Sequence, residues 1–285
     1  MGQGPVIVRS LAELHALTTR WRQDGALIGV VPTMGALHAG HLSLAGAARA
    51  DCDRVIVTIF VNPRQFNSPD DLARYPRTEE DDARKLAPLG VDVIYCPNPD
   101  QIYPDGFATT VSVAGLTDVL CGASRPGHCD GVATVVTKLL TQTRADRAYF
   151  GEKDFQQLQL VRQLVRDLDL GVTIIGCPTV READGLAMSS RNLRLGREAR
   201  QKAAQINAVL TDLAQALAAG HSFAPLRERA IAELAGAGFG ALDYLDLRRE
   251  ADLGALDRFD PAQPARLFIA IELDGVRLID NMSVA

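Results

Sequence analysis

Two histidines in the segment 32–44, PTMGALHAGHLSL, are the first side chains whose type and spacing could do chemistry. His38 and His41 lie three residues apart at the predicted start of a helix, so they share one helical face. The N-terminus of a helix favours an anion, and imidazoles there can donate hydrogen bonds to phosphate oxygens. An arbitrary His-x-x-His is more often a surface pair, but Gly35, Gly40 and a preceding buried strand favour a phosphate site. A zinc pair is disfavoured because no third ligand lies nearby.

The segment 60–67, FVNPRQFN, ends a second predicted strand and carries amide groups that suit a small polar substrate. Asn62 also fits a plain Asn-Pro turn, an interpretation that leaves Gln65 unexplained. This segment alone is a weak signal of a substrate site.

An acidic cluster, Glu79, Glu80, Asp81 and Asp82, has two interpretations of equal weight. Carboxylates near a nucleotide suit Mg²⁺, which needs only one or two protein oxygens beside phosphates and water. Carboxylates also stabilise the first turn of a helix through its dipole. The sequence leaves both open.

The turn GEKDFQQL, 151–158, follows another predicted strand. Lys153 can meet phosphate oxygens as a point charge, and Asp154 can cap the next helix or hold ribose hydroxyls. Gln157 lies about one helical turn further on. An ordinary charged turn is the alternative, against which the glycine at the strand end, Gly151, favours a functional site.

The loop GLAMSSRN, 185–192, places two hydroxyls and a guanidinium side by side at Ser189, Ser190 and Arg191. Such a loop can close over a triphosphate and stabilise a departing pyrophosphate. An exposed turn is the alternative interpretation, and this segment is not decisive alone.

The elements that position these residues alternate between strand and helix. Near-continuous apolar strands between helices indicate a parallel sheet covered on both faces, which binds ligands at the carboxyl ends of its strands. We predict strands at 26–31, 54–62, 91–97, 147–151 and 171–178, and helices from Ser10 to Gly25 and at 41–50, 78–88 and 155–168.

The pattern changes beyond about residue 180, and we predict a domain boundary there, giving domains 1–179 and 180–285. Asp274-Gly275 between two apolar runs is a hairpin signal. The fold class is therefore α/β with a smaller C-terminal α+β domain. Its helices are predicted at 197–219 and 225–237, and its strands at 243–248, 266–273 and 276–281.

The composition of the chain excludes some classes of binding partner and indicates its cellular compartment. The chain has 285 residues and a net charge of −5, so it lacks the basic field that nucleic acid requires. We find no signal-peptide pattern and no apolar run near the ~20 residues that span a bilayer. Its five scattered cysteines, without a C-x-x-C pair, are typical of reduced thiols. We expect a cytoplasmic protein with no nucleic-acid or membrane partner.

Taken in order, several segments resemble the pantothenate synthetases, of the His-x-Gly-His nucleotidyl transferase superfamily. The resemblance covers most of residues 30–195 and thins towards the C-terminus. It implies a two-step reaction in which ATP and pantoate give pantoyl-adenylate, and the amine of β-alanine then displaces AMP. It also implies a Rossmann-like ATP domain, a C-terminal lid, Mg²⁺ and a homodimer. The matching segments are PTMGALHAGH, FVNPRQFN, YPRTEEDD, SRPGHCDGVATVVTKL, FGEKDFQQL and READGLAMSSRN.

The resemblance also implies a role for each matching residue. Catalytic contacts to the phosphates would come from His38, His41, Lys153, Ser189, Ser190 and Arg191. The nucleotide site would contain Met34, Gly40, His41, Gly151, Lys153, Asp154, Val180 and Met188. Pantoate would be held by Gln65 and Gln157 with Asn62, Mg²⁺ by Asp82 with Asp81, and the site would be shaped by Arg125 and His128. Cys129 and Cys121 depart from the pattern, where an aromatic residue and a glutamate are common.

Four other functions compete with this hypothesis. A nucleotidyl transferase of the same fold that adenylates a phosphate would not need the paired glutamines. A nucleotide-binding sensor would not need to keep His38, His41, Lys153 and Arg191. An aminoacyl-tRNA synthetase would need a basic region that binds RNA, and this short, acidic chain has none. A nicotinamide dehydrogenase would need G-x-G-x-x-G after the first strand, and the sequence lacks that motif there.

Overall fold

The computed structural model, which describes residues 4–285, confirms the predicted fold class. Its larger sheet contains six strands, and every neighbouring pair is parallel. The strands are β1 (Val6–Val8), β2 (Ile28–Thr33), β3 (Arg54–Ile59), β4 (Val93–Tyr95), β5 (Arg147–Gly151) and β6 (Thr173–Cys177).

The strand order β1-β4-β3-β2-β5-β6 creates a switch point between β2 and β5. The chain builds outward from β2 to β3 and β4, and later returns to place β5 on the other side of β2. Open α/β sheets bind ligands at such a point. β2 pairs with β5 only at Gly29 and Val30, so the two strands separate towards their carboxyl ends. A crevice opens there.

Helices cover both faces of this sheet. Apolar residues of α1 (Leu11–Gln23), α7 (His128–Thr143) and α8 (Phe155–Asp167) pack on one face of the sheet. Those of α2 (Ala39–Asp51) and α4 (Glu79–Leu86) pack on the other face. The Ser10–Glu13 capping box begins α1, as predicted. No helix in residues 4–285 combines the length and apolar character needed to cross a membrane. The helices are α1 (Leu11–Gln23), α2 (Ala39–Asp51), α3 (Pro69–Ala73), α4 (Glu79–Leu86), α5 (Pro99–Ile102), α6 (Cys121–Ser124), α7 (His128–Thr143) and α8 (Phe155–Asp167).

The C-terminal part is a three-stranded antiparallel sheet with helices packed on it. Its hairpin turns at Asp274 and Gly275, both with positive φ, as the Asp-Gly pair predicts. One apolar cluster lies wholly within 186–284, and the domain boundary at residue 180 stays a prediction. The elements are α9 (Arg197–Ala203), α10 (Gln205–Ala218), α11 (Phe223–Gly236), β7 (Leu242–Arg249), β8 (Ala265–Leu273) and β9 (Val276–Val284).

The structure differs from the sequence prediction in its shortest elements. The three-residue edge strand β1 and the one-turn helices α3, α5 and α6 were not predicted, because so few residues show no periodicity. The single helix predicted over 197–219 is two helices, α9 and α10, separated at Ala204. No glycine or proline marks that break in the alanine-rich sequence.

Candidate active site

A cavity of about 700 Å³ lies where β2 and β5 separate, with the C-terminal domain forming part of its wall. This volume suits a small-molecule site. Most of the predicted site residues line it. They are Met34, His38, Gly40, His41, Gln65, Gly151, Lys153, Asp154, Gln157, Val180, Met188, Ser189, Ser190 and Arg191.

The two histidines present one free ring nitrogen each. His38 is the N-cap of α2, and its Nδ1 accepts a 3.2 Å hydrogen bond from Gly40 N–H. The backbone N–H of His38 donates to His41 Nδ1 at 3.4 Å. Since both Nδ1 atoms accept, the ring proton of each histidine lies on Nε2, which remains free to donate. A Cβ at Gly40 would lie 2.9 Å from the His38 ring, so a larger residue would displace that ring.

Both imidazoles are neutral at pH 7. Burial, with the nearby Lys153 cation, lowers the pKa of His38 to about 4. Burial, with His38 beside it, lowers the pKa of His41 to about 3. The pair therefore provides hydrogen-bond donors without positive charge, and any charge that neutralises phosphate must come from other groups.

Lys153 brings such a charge from the other side of the crevice. It lies in a 3₁₀ turn, Glu152–Asp154, directly after β5. Its side chain is only 17% exposed, and its Nζ lies 3.7 Å from the Asp154 carboxylate. The switch point thus places a cation from the β5 side opposite the donors that follow β2.

A second cation comes from the loop after Met188. Ser189 Oγ accepts from Arg191 N–H at 3.2 Å and starts a 3₁₀ turn. The Arg191 guanidinium lies 3.3 Å from Asp71, which also binds Arg194. The sequence did not indicate Asp71, because its partners lie more than a hundred residues away along the chain.

A short hairpin carries Val180 and Met188 to the cavity wall. Met188 N–H donates to Val180 O at 3.0 Å, which closes the hairpin. Arg181 within it forms two hydrogen bonds, of 2.7 and 3.0 Å, to the buried carboxylate of Asp280 on β9. This buried ion pair fixes the hairpin to the C-terminal sheet.

Gln65 is held by Asn62 and Met34. Asn62 is 1% exposed and does not line the cavity; its Nδ2 donates to Gln65 Oε1 at 3.0 Å and to Gly131 O at 3.0 Å. Gln65 Nε2 donates to the Met34 sulfur at 3.0 Å. Thioether sulfur is a weak acceptor. The Gln65 amide is therefore oriented by Asn62 but keeps a donor that a better acceptor can take over.

Arg125 and His128 also hold Gln65, through its backbone. The Gln65 carbonyl accepts from Arg125 Nη2 at 3.0 Å and from His128 Nδ1 at 2.8 Å. Arg125 Nη1 also donates to His128 Nε2 at 3.0 Å, so the ring proton lies on Nδ1. Burial, followed by the Arg125 charge, lowers the pKa of His128 to about 4. A neutral His128 thus supports the segment that carries Gln65.

An apolar surface completes this side of the cavity. Gln157, in the first turn of α8, lines the cavity, and so do residues of α7 and α8 that have no polar side-chain atoms. Such a surface suits an aliphatic rather than a strongly polar substituent. The apolar residues are Val132, Val135, Val136, Leu139 and Leu160.

Asp82 and Asp81, the predicted magnesium ligands, do not line the cavity. Asp82 is fully buried, and its carboxylate accepts from the backbone N–H groups of Ala36 and Leu37 at 2.9 and 2.7 Å. Asp81 pairs with Lys85 at 2.7 Å on the surface of α4. The structure thus corrects the prediction: Asp82 holds the loop before His38, and both carboxylates have other partners.

The two unusual cysteines lie beside the site. Cys129 is the second residue of α7 and is buried in the core, and burial raises the pKa of its thiol to about 11. Cys121 Sγ lies 3.1 Å from the Tyr244 hydroxyl and 3.5 Å from Arg277 Nη2. Cys121 therefore contacts the C-terminal domain, and the loop that carries it packs there.

The C-terminal sheet contributes cavity residues that the sequence did not indicate. Tyr244, Arg277 and Asn281 all line the cavity. Asn281 is a polar residue within the predicted strand region and is 3% exposed in the structure. Burial is not visible in the sequence, so this asparagine could not be told from a surface one.

Fold and site together define a class of protein: a nucleotide-using α/β enzyme with hydrogen-bond donors and cations at the switch point of its sheet. A family model described as pantoate-beta-alanine ligase matches residues 6–283. A pantothenate synthetase of Ruegeria pomeroyi is 63% identical over 279 residues, covering 98% of this chain and 97% of that protein. The chain belongs to the pantoate–β-alanine ligase family.

Solved structures agree with this assignment. A pantothenate synthetase of Thermus thermophilus has a TM-score of 0.91 at 43% identity, covering 98% of this chain and 99% of that one. A pantoate-beta-alanine ligase from Francisella tularensis, described as complexed with β,γ-ATP and β-alanine, has a TM-score of 0.83 at 37% identity. It covers 98% of this chain and 97% of its own.

Proposed function

We propose that the cavity is the site at which this ligase makes pantoyl-adenylate and converts it to pantothenate. One carboxylate oxygen of pantoate attacks the α-phosphorus of ATP, the bond to the β-phosphate breaks, and pyrophosphate leaves. The amine of β-alanine then attacks the acyl carbon, loses a proton, and displaces AMP. The observation that carries this proposal is that one cavity contains both kinds of group the reaction needs. It has side chains that can donate hydrogen bonds to phosphate, and it has two glutamines together with an apolar surface.

The phosphate region of the cavity comprises His38, His41, Lys153 and Arg191. We assign to the two Nε2–H groups the hydrogen bonds to phosphate oxygens on which charge grows as pyrophosphate departs. Lys153 and Arg191 supply positive charge, with Ser189 and Ser190 as further donors. The nucleotide lies against Met34, Gly40, Gly151, Asp154, Val180 and Met188, which line the cavity.

The acid region comprises Gln65 and Gln157, with Asn62 and His128 behind Gln65. We assign pantoate's hydroxyl and carboxylate oxygens to the two glutamine side chains. Its methyl groups lie against the apolar residues of α7 and α8. Asn62, which is buried, acts on pantoate through Gln65 rather than by contact.

Magnesium fits this site as a companion of ATP. Among residues 4–285 no group of three His, Cys, Asp or Glu side chains is arranged to hold a metal ion. Mg²⁺ bound to a nucleotide needs only one or two carboxylates, because phosphates and water complete its shell. We assign this contact to Asp154, whose carboxylate is 46% exposed and lines the cavity. Bound there, the ion would neutralise phosphate charge.

Three further features belong to the proposal: a homodimer, a C-terminal domain that acts as a lid, and a cytoplasmic location. All five cysteines are free, as suits a reducing compartment. Sedimentation velocity tests the dimer, and a sedimentation coefficient of a monomer at all concentrations contradicts it.

The test of the function is pyrophosphate release from ATP and Mg²⁺, with and without pantoate and then with β-alanine. We expect pantoate-dependent release, followed by AMP and pantothenate when β-alanine is added. Hydroxylamine in place of β-alanine should give the acyl hydroxamate. A protein that binds ATP but releases no pyrophosphate with pantoate would instead favour a transferase that adenylates a phosphate.

A further inference from the structure

The backbone that carries Lys153 is held from the C-terminal sheet. Asn281 on β9 donates from its Nδ2 to Glu152 O at 2.9 Å and to Lys153 O at 2.7 Å. These are the carbonyls of the 3₁₀ turn that follows β5. A single carboxamide of the C-terminal domain therefore satisfies two backbone acceptors beside the cation of the phosphate region.

Arg266 on β8 fixes the orientation of that carboxamide. Its Nη1 donates to Asn281 Oδ1 at 2.6 Å. Because a guanidinium only donates, Oδ1 must face Arg266, and both amide hydrogens are directed at the two carbonyls. Asn281 uses every polar atom of its side chain in these contacts.

Arg266 is itself held firmly. It is 8% exposed, its Nε donates to Glu250 at 2.8 Å, and its guanidinium lies 4.0 Å from the centre of the Phe155 ring. Phe155 is the first residue of α8, directly after the 3₁₀ turn. Arg266 thus packs on one end of the turn while Asn281 binds its carbonyls.

We propose that Asn281 and Arg266 are positioning residues for Lys153, so that its contact with phosphate depends on the C-terminal sheet being docked on the turn. This rests on the proposed function and adds a dependence of the ATP site on the second domain. Neither residue needs to touch substrate in this role. A lid movement that preserves catalysis must therefore keep β9 against the Glu152–Asp154 turn.

Asn281→Asp tests the proposal with almost no change in shape. The carboxylate has no hydrogen to donate and faces two carbonyl oxygens, so the turn should shift. A displacement of the order of 1 Å at a catalytic group can reduce rates about 100-fold, and we expect kcat/KM for ATP to fall about 10- to 100-fold. The affinity for pantoate, measured by calorimetry, should change less than about threefold. Asn98→Asp, an exposed helix cap without a side-chain hydrogen bond, is the matched control and should behave as the wild type.

A double-mutant cycle separates positioning from general structural support. If Asn281 acts through Lys153, Asn281→Asp should have little further effect in a Lys153→Ala background, as expected for coupled residues. Equal losses of kcat/KM in both backgrounds would overturn the proposal. Arg266→Lys, which loses the planar fork but keeps its charge, is the second variant should Asn281→Asp fail to fold. Wild-type turnover is measured separately, so failure of the cycle is distinct from failure of the proposed function.

Discussion

The histidine pair of the phosphate region and Gln65 of the acid region are held in different ways. In the phosphate region, His38 and His41 are oriented by the backbone of one helical turn, within four residues of each other. In the acid region, Gln65 is held by side chains from distant parts of the chain. The first arrangement is therefore local in sequence, whereas the second depends on tertiary packing.

The difference indicates how each region should respond to change. The hydrogen bonds that orient the histidine pair lie within one turn, so replacing a residue of that turn should act mainly on the chemical step. An arrangement held by tertiary packing can also be lost when residues that do not contact substrate are replaced. The predictions below separate these two behaviours.

His41→Ala should give the largest effect. It removes a donor that we assign to the developing phosphate charge, and loss of one such donor lowers kcat by about 100- to 1000-fold. Because the contact belongs to the transition state, kcat and kcat/KM should fall together. Steady-state pyrophosphate release measures both, and near-normal turnover would remove His41 from the phosphate region.

Gln65→Leu should act on pantoate rather than on ATP. It deletes a carboxamide while keeping much of its volume, so a bound hydroxyl or carboxylate loses its partner. A lost hydrogen bond of this kind corresponds to about 1–3 kcal/mol, or roughly 5- to 150-fold in KM for pantoate. ATP binding, followed by calorimetry without pantoate, should remain unchanged. An unchanged KM for pantoate would contradict the assignment.

Gly131→Ala should disturb the acid region without changing a residue that contacts pantoate. A Cβ at Gly131 would lie 2.2 Å from Arg64 O, so α7 and the segment before Gln65 must move apart. Overpacking of this kind destabilises by about 1–3 kcal/mol, and the KM for pantoate should rise with it. Chemical denaturation and steady-state kinetics measure the two effects.

Gly46→Ala is the matched control for that change. Gly46 lies within α2, and nothing lies within 4 Å of the position its Cβ would take. Alanine is favoured over glycine in a helix by roughly 0.5–1 kcal/mol, so the variant should be at least as stable as the wild type. Equal loss of stability in both variants would show that the close approach at Gly131 has no special role.

A further effect concerns the dependence of stability on pH. His41 stays neutral in the folded state down to a pKa of about 3, whereas in the unfolded chain it takes up a proton near pH ~6.5. The unfolded state therefore binds more protons as pH falls below about 6.5, and His41 lowers the free energy of unfolding in that direction.

Comparison with His41→Gln isolates this contribution. The free energy of unfolding of the wild type, relative to the variant, should decrease between about pH 7 and about pH 4.5. Urea unfolding at several pH values measures it, and NMR titration reports the imidazole directly. A folded His41 that titrates near pH ~6.5 would contradict a neutral donor pair.

The sequence predicted the features of this molecule that depend on residues close together along the chain. Apolar strands between amphipathic helices predicted the parallel sheet, and Asp274-Gly275 predicted the second hairpin. His38 and His41 could be singled out because three residues of one helical turn bring them together. The family resemblance then supplied the identities of the substrates, which no spacing could give.

Contacts between segments that are distant along the chain could not be predicted from the sequence. Asp82 was predicted to bind magnesium, but its partners are backbone N–H groups 45 and 46 residues earlier. Asn281 carries no local signal, because its partners lie more than a hundred residues away. A carboxylate or amide looks the same in a sequence whether it faces substrate or a neighbouring backbone.

The central claim is that both regions act on one adenylate intermediate, and oxygen transfer tests it most directly. Pantoate labelled with ¹⁸O in its carboxylate should be incubated with ATP, Mg²⁺, β-alanine and the enzyme, and the products analysed by mass spectrometry. Attack on the α-phosphorus predicts one labelled oxygen in AMP and none in pyrophosphate. Unlabelled AMP, or label in a phosphate released from the other end of ATP, would contradict the account.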